Sequence, residues 1–212
     1  PSIVAIAQAN PGALWVIGHE IARGDWQSGG GGTGRQDEIL PELYAEAYHF
    51  LYGVLKQADP SARVAIGGVI QATPLRLAYL DRVWEAYRSK YGVTMPVDVW
   101  NIHTFVLQEV RNSWGADVPA GLTETQGVVF PIRDNDNFEI VRQQIITFRQ
   151  WMKAKGEQDK PLINTEFGVL FPFWIQDEDD RYFTPDRVSG FMTAAFDYFF
   201  TATDTLIGYP AD

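Results

Sequence analysis

Two glutamates and two of the chain's three histidines stand where predicted strands end. His19 and Glu20 follow one apolar segment, His103 ends another, and Glu166 comes directly after Leu162 and Ile163 in a third. A carboxylate at the end of a buried strand is costly unless it faces a polar cleft. Two facing carboxylates can divide nucleophilic and acid–base roles, and a separation of about 5–5.5 Å is typical of retaining glycoside hydrolysis.

The elements that must position these side chains alternate along the chain. Segments of strand length lie at 13–18, 62–70, 97–103, 161–168 and 206–209. Apolar residues recur between them at spacings of three and four, which indicates helices with one buried face. The order βαβαβαβαβ, entered from a preceding helix, predicts a parallel α/β sheet. Ligands then meet the carboxyl ends of the strands, in a doubly wound sheet as in a (β/α)8 barrel.

Helix boundaries support this division. Pro41 suits the first turn of a helix, and Thr184 is a good N-cap in front of Pro185. Asp136 and Glu139 have the spacing of a capping box, which predicts a helix that begins after Asp136.

Composition limits the function classes. The chain has 212 residues, no cysteine and a formal charge of −10, with 46% hydrophobic residues. A chain of this size and composition can bury a core, and we expect one domain over residues 1–212. The negative charge disfavours nucleic acid and anionic membranes as partners. The longest apolar runs fall short of about 18 residues, so no membrane span is expected.

Other chemistries have weaker signatures. His19 and Glu20 begin like the zinc helix H-E-x-x-H, but Arg23 takes the place of the second histidine. The glycine tract at 28–34 lacks the Gly-Lys-Ser/Thr ending of a phosphate loop, and no G-x-S-x-G occurs. The acidic residues at 134–136 and 177–180 lack calcium-loop spacing. We therefore predict neither a metal nor a cofactor.

Three short motifs carry a family resemblance. WVIGHE resembles the W-x-x-G-N-E stretch that ends strand four in retaining glycoside hydrolases of the large (β/α)8 clan, and NTEFG resembles the T-E-[FY]-G stretch that ends strand seven. NIHTF resembles the histidine-bearing sixth strand, and residues 62–81 and 97–103 are similar to uncharacterised bacterial glycosyl-hydrolase-like proteins. The chain departs from the clan at His19, where relatives have asparagine, at Ile21 and at Phe105.

The resemblance implies a (β/α)8 TIM-barrel fold, a carbohydrate substrate and a double-displacement mechanism. It implies that Glu166 is the nucleophile and Glu20 the general acid/base. Four further side chains are candidates for substrate binding: His19, Gln71, His103 and Trp174. Trp174 could stack on a sugar ring or anchor its loop, and His103 could be a structural histidine.

The length of 212 residues corresponds to strands four to eight of such a barrel, because a complete barrel takes about 250 residues. We therefore expect a partial barrel, part of a longer protein or one that associates through its open sheet edges. The compartment stays undetermined, although secretion as part of a longer chain would fit. Two alternatives remain: a non-catalytic carbohydrate-binding or scaffold protein, and a structural fragment without a ligand.

Overall fold

The fold is known from a computed structural model, which describes residues 2–22 and 39–208. Four strands and five helices alternate over these residues, and two short 3-10 helices follow them at Ile132–Asp134 and Thr205–Ile207. The strands are β1 (Leu14–Glu20), β2 (Arg63–Gly68), β3 (Trp100–His103) and β4 (Leu162–Glu166). The helices are α1 (Ile3–Ala9), α2 (Pro41–Ala58), α3 (Pro74–Tyr91), α4 (Phe138–Ala154) and α5 (Pro185–Thr201).

The strands form two parallel pairs, β1 with β2 and β3 with β4. Between β2 and β3 only two isolated parallel bridges occur, Ala65 with Val99 and Val69 with Ile102. The prediction of a (β/α)8 barrel is therefore wrong: the described residues form a mixed α/β fold with two small sheets. Strands of four to seven residues, joined in the middle by single bridges, do not give the continuous staggered ladder that barrel closure requires.

The fifth predicted strand, at 206–209, is also absent from the described part of the chain, which ends at residue 208. Thr205–Ile207 instead forms a 3-10 turn. The carboxylate of Asp204 accepts a hydrogen bond from the amide of Leu206 and caps this turn. Gly208 then ends it in the left-handed region, at φ 71°. Local capping thus overrides the short apolar run.

The helix boundaries largely agree with the sequence. α2 begins at Pro41, and α5 begins at Pro185 behind Thr184, whose hydroxyl accepts from the amide of Arg187. The capping box at Asp136 is wrong. Asn137 caps α4, and the Asp136 carboxylate instead binds the guanidinium of Arg187 at 2.6 and 2.7 Å.

The core lies between the strands and helices α2, α3 and α4. Trp100 of β3 is fully buried and meets Trp151 edge-on, with ring centroids 5.0 Å apart. β2 is buried on both faces, as expected for an inner strand. β1 is not: Leu14 and Val16 are each 42% exposed, so the predicted burial of this strand fails. Within the described residues no helix is both long and apolar enough to cross a bilayer.

The long segment between β3 and α4 is held by a buried ion pair. Arg76 of α3 and Glu109 are both completely buried, and Arg76 Nη1 lies 2.9 Å from Glu109 Oε1. The Glu109 carboxylate also accepts from the Thr73 hydroxyl at 2.5 Å and the Val128 amide at 3.0 Å. Because each acceptor position has a donor, the burial of this charge is compensated.

We predict that Glu109→Gln lowers the free energy of unfolding by about 3–5 kcal/mol, because a guanidinium then stays buried without its carboxylate. Urea unfolding followed by circular dichroism measures the change. Glu124→Gln, at an exposed position of the same segment, is the matched control and should stay within about 0.5 kcal/mol of the parent chain. Equal stabilities of the two variants would contradict the assigned role of the ion pair.

Candidate active site

The carboxyl ends of all four strands meet at one edge. Glu20 at the end of β1 pairs with Gly68 at the end of β2. The bridge from Val69 and the hydrogen bond from the His103 amide to the Val69 carbonyl, at 2.8 Å, align β3 with β2. His103 in turn pairs with Glu166 at the end of β4. The parallel register therefore places both predicted catalytic carboxylates above the same edge.

His103 lies between the two carboxylates. Its Nδ1 is 3.2 Å from Glu20 Oε1 and 3.8 Å from Glu166 Oε2. Those two oxygens can therefore be at most 7.0 Å apart, the total of the two distances. An ionised carboxylate only accepts hydrogen bonds, so the contact with ionised Glu20 requires a proton on Nδ1. A protonated Glu20 could instead donate to Nδ1, so the contact accommodates both states.

His19 completes the cluster from the exposed side. Its Nε2 lies 2.5 Å from Glu166 Oε1, and its ring centroid is 5.5 Å from that of His103. The cluster therefore comprises two imidazoles and two carboxylates from three strands. One ligand atom each from His19, His103 and Glu166 lies within 4.8 Å of the others, a spacing from which a metal ion could be bound.

The two carboxylates differ in environment. Glu20 is 3% exposed, whereas the side chain of Glu166 is 39% exposed. Burial disfavours the charged form of a carboxyl group, and contact with solvent favours it. The environments are therefore unequal in the direction that separates a proton donor from an ionised nucleophile.

Gly68 gives the imidazole its space. A Cβ atom built on Gly68 would lie 2.5 Å from His103 Nε2, closer than real side chains approach. Gly68 thus lets a buried ring lie flat against the end of β2. The sequence shows the Gly67–Gly68 pair at a strand end, but nothing in the residues indicates which side chain fills that space.

Asn164 fixes the end of β4. In the amide orientation that satisfies all its neighbours, its nitrogen donates to the carbonyls of Glu166 and Ile102 at 2.8 and 3.0 Å. Its oxygen accepts from the Thr104 hydroxyl at 2.8 Å. The amide of Thr104 also donates to the Glu166 carbonyl at 3.1 Å. The backbone that carries the Glu166 carboxylate is therefore tied to the end of β3.

The remaining two predicted site residues lie in other surroundings. Gln71 is completely buried, and its amide both donates to the Leu107 carbonyl and accepts from the Leu107 amide, each at 3.0 Å. This pairing gives Gln71 a structural role. Trp174 is 64% exposed and, with Phe173 and Tyr182, lines an apolar depression of about 530 Å³. The sequence analysis had not singled out Phe173 or Tyr182.

The loop that bears Trp174 is anchored by Asp177. Burial alone would raise the pKa of Asp177, but hydrogen bonds from the backbone amides of Arg181 and Asp179 and from Arg187 lower that pKa to about 2. Arg187 Nη1 is 2.9 Å from Asp177 Oδ2. This aspartate, which the sequence predicted only as part of a solvated acidic loop, connects the loop to α5.

Comparison of the chain with protein-family models, with curated proteins and with solved structures finds no match. The resemblance to the glycoside hydrolase clan therefore stays a prediction. The geometry of the cluster alone carries the functional argument that follows.

We predict that Gly68→Ala destabilises the chain by about 1–3 kcal/mol, because the new methyl group overlaps His103. Thermal unfolding measures the loss. Gly53→Ala is the matched control: its new methyl group would meet nothing within 4 Å on helix α2, so it should stabilise the helix by up to about 1 kcal/mol. Changes of the same sign in both variants would refute the packing role of Gly68.

A second prediction concerns acid. Asp177 has a lowered pKa in the folded chain, so its stabilising contribution is present above its ordinary pKa of 3.8 and lost as the pH falls towards about 2. Asp177→Asn should therefore lower the melting temperature at pH 7, and the difference should narrow between about pH 4 and pH 2. Asp159→Asn, at an exposed position, serves as control. A difference independent of pH would show that charge is not the cause.

Proposed function

We propose that this chain is a retaining glycoside hydrolase in which Glu166 is the nucleophile and Glu20 the general acid/base. The observation that supports the proposal is the shared contact of both carboxylates with His103, which limits the two oxygens named above to 7.0 Å or less. Inverting enzymes need about 6.5–9.5 Å between their carboxyl groups to admit a water molecule, and retaining enzymes about 5–5.5 Å. The upper limit leaves little of the inverting range.

In the first step, an oxygen of Glu166 attacks the anomeric carbon of a sugar and forms a covalent ester. The bond from that carbon to the leaving oxygen breaks, and Glu20 gives its proton to this oxygen. In the second step, Glu20 takes a proton from water, whose oxygen attacks the same carbon and releases Glu166. The environments suit these roles, because Glu20 is buried and Glu166 reaches solvent.

His103 supports both steps by position. A general acid that becomes a general base must keep its orientation while it loses and regains a proton. The Nδ1 of His103 can accept from protonated Glu20 and donate to ionised Glu20, so the contact of 3.2 Å persists in both states. His19, 2.5 Å from Glu166, would contact the sugar beside the nucleophile.

The substrate class in this proposal is a poly- or oligosaccharide. Sugars present apolar ring faces that stack on aromatic side chains. Trp174 and Phe173 expose about two thirds of their surface on the loop that follows β4, and their rings meet edge-on with centroids 5.0 Å apart. The Asp177 anchor holds this loop in place, so the rings form a fixed surface on which a sugar unit can stack.

The decisive test is covalent trapping. An activated 2-fluoro-glycoside slows both steps, but its good leaving group lets the ester form and accumulate. We expect the intact mass to rise by one sugar unit with one member of a panel of sugars, and peptide mapping to place the sugar on Glu166. Glu166→Gln should not be labelled, and Glu20→Gln should lower kcat/KM for substrates with poor leaving groups by about 10²–10⁴.

No labelling of a folded sample by any sugar would count against the hydrolase. Sugar binding that persists unchanged in Glu166→Gln, without turnover, would favour the non-catalytic carbohydrate-binding alternative. Label on a residue other than Glu166 would reject the assigned nucleophile.

A separate prediction concerns Trp174. Trp174→Ala should raise KM for an oligosaccharide by about 5- to 100-fold, since one stacking contact of about 1–3 kcal/mol is lost. The change in kcat should be small, because the ring acts away from the reacting carbon. Phe50→Ala removes an equally exposed ring on the outer face of α2 and should leave KM unchanged. A large fall in kcat with unaltered KM would contradict the stacking role.

A further inference from the structure

The cluster contains a set of side chains that glycoside hydrolysis does not require. Two imidazoles and one carboxylate, from His19, His103 and Glu166, each offer a ligand atom, and these atoms lie within 4.8 Å of one another. Among the residues that the structure describes, this is the one group with such spacing. Two histidines and one glutamate are the protein ligands of several zinc sites, which keep a fourth position open.

We propose that His19, His103 and Glu166 bind a zinc ion. The chain has no cysteine, so a site built on thiolates is excluded, and imidazole with carboxylate suits Zn²⁺ better than Mg²⁺ or Ca²⁺. His103 offers Nδ1, the nitrogen that faces both carboxylates, because its Nε2 lies against Gly68. Water would take the fourth position, next to the Glu20 carboxyl group.

The geometry requires only small movements. Ligand atoms about 2.0–2.2 Å from a tetrahedral zinc ion are about 3.3 Å apart. His19 Nε2 and Glu166 Oε1, now 2.5 Å apart, would separate by less than about 1 Å to admit the ion. Glu166 Oε2 would approach His103 Nδ1 from 3.8 Å. Both moving side chains are substantially exposed, His19 at 56% and Glu166 at 39%, so the adjustment needs no change in the core.

The charge of the surroundings favours a cation. Two carboxylates, Glu20 and Glu166, lie on either side of the His103 nitrogen, and the chain carries a formal charge of −10. A divalent cation at this position interacts favourably with both carboxylates and with the net field of the chain.

Zinc and a sugar would compete for Glu166. An ion bound to its carboxylate removes the lone pair that attacks the anomeric carbon, so Zn²⁺ should slow the covalent labelling of Glu166. This consequence alone rests on the proposed function; the binding of the ion does not.

Isothermal titration of the chelator-treated chain with zinc chloride tests the site directly. We expect one ion per chain, and an affinity that falls about 100-fold or more in His19→Asn, since loss of a ligand should cost at least as much as loss of a residue that only orients one. The exposed side chain of His19 makes this variant unlikely to unfold, and circular dichroism checks it. His49→Asn is the matched control, because His49 is the third histidine of the chain and lies on α2, stacked on Tyr91.

Retained zinc affinity in His19→Asn, loss of affinity in His49→Asn instead, or no saturable binding by the parent chain would each overturn the proposal. The titration uses no sugar, so its outcome is independent of the trapping experiment. Zinc binding without glycosyl labelling would leave the metal site standing and reject the hydrolase, and the reverse pattern would do the opposite.

Discussion

The imidazole of His103, buried between two carboxylates, sets the geometry of the site. It lies 3.2 Å from Glu20 and 3.8 Å from Glu166 because parallel pairing brings the ends of β1, β2, β3 and β4 to one edge. A ring of this size fits there only because Gly68 has no side chain. The glycine, the strand register and the two carboxylates therefore form one interdependent arrangement, in which a change at any member displaces the others.

The supporting structure holds this arrangement from below and from the side. Asn164 ties the Glu166 backbone to β3, and Trp100 anchors β3 in the aromatic core. The Arg76–Glu109 pair holds the segment after β3, and the Asp177–Arg187 pair holds the loop after β4. The side chains that face solvent, His19 and Glu166, are those that a ligand would meet first.

Much of this was accessible from the sequence, because it depends on local patterns. Apolar runs and helical spacing predicted four strands and the helices between them, and the strand-end rule predicted that Glu20, His19, His103 and Glu166 would gather at one edge. The barrel was not predictable in this way, because closure depends on how many ladder positions join β2 to β3, and only two isolated bridges form. Capping by Asp204 and burial of Gln71 likewise depend on contacts that periodicity does not encode. The zinc signature failed as a sequence motif, since the second imidazole comes from β3 and not from the residue at position 23.

The stereochemistry of hydrolysis tests the central claim that the two carboxylates act as a close pair across one sugar. Proton NMR can record the anomer that appears first when the chain hydrolyses an aryl glycoside, before mutarotation mixes the two forms. A product with the configuration of the substrate is the predicted result, because carboxyl groups within 7.0 Å leave little room for a water molecule on the opposite face. A product of inverted configuration, or no hydrolysis of any glycoside by the folded chain, would contradict the account.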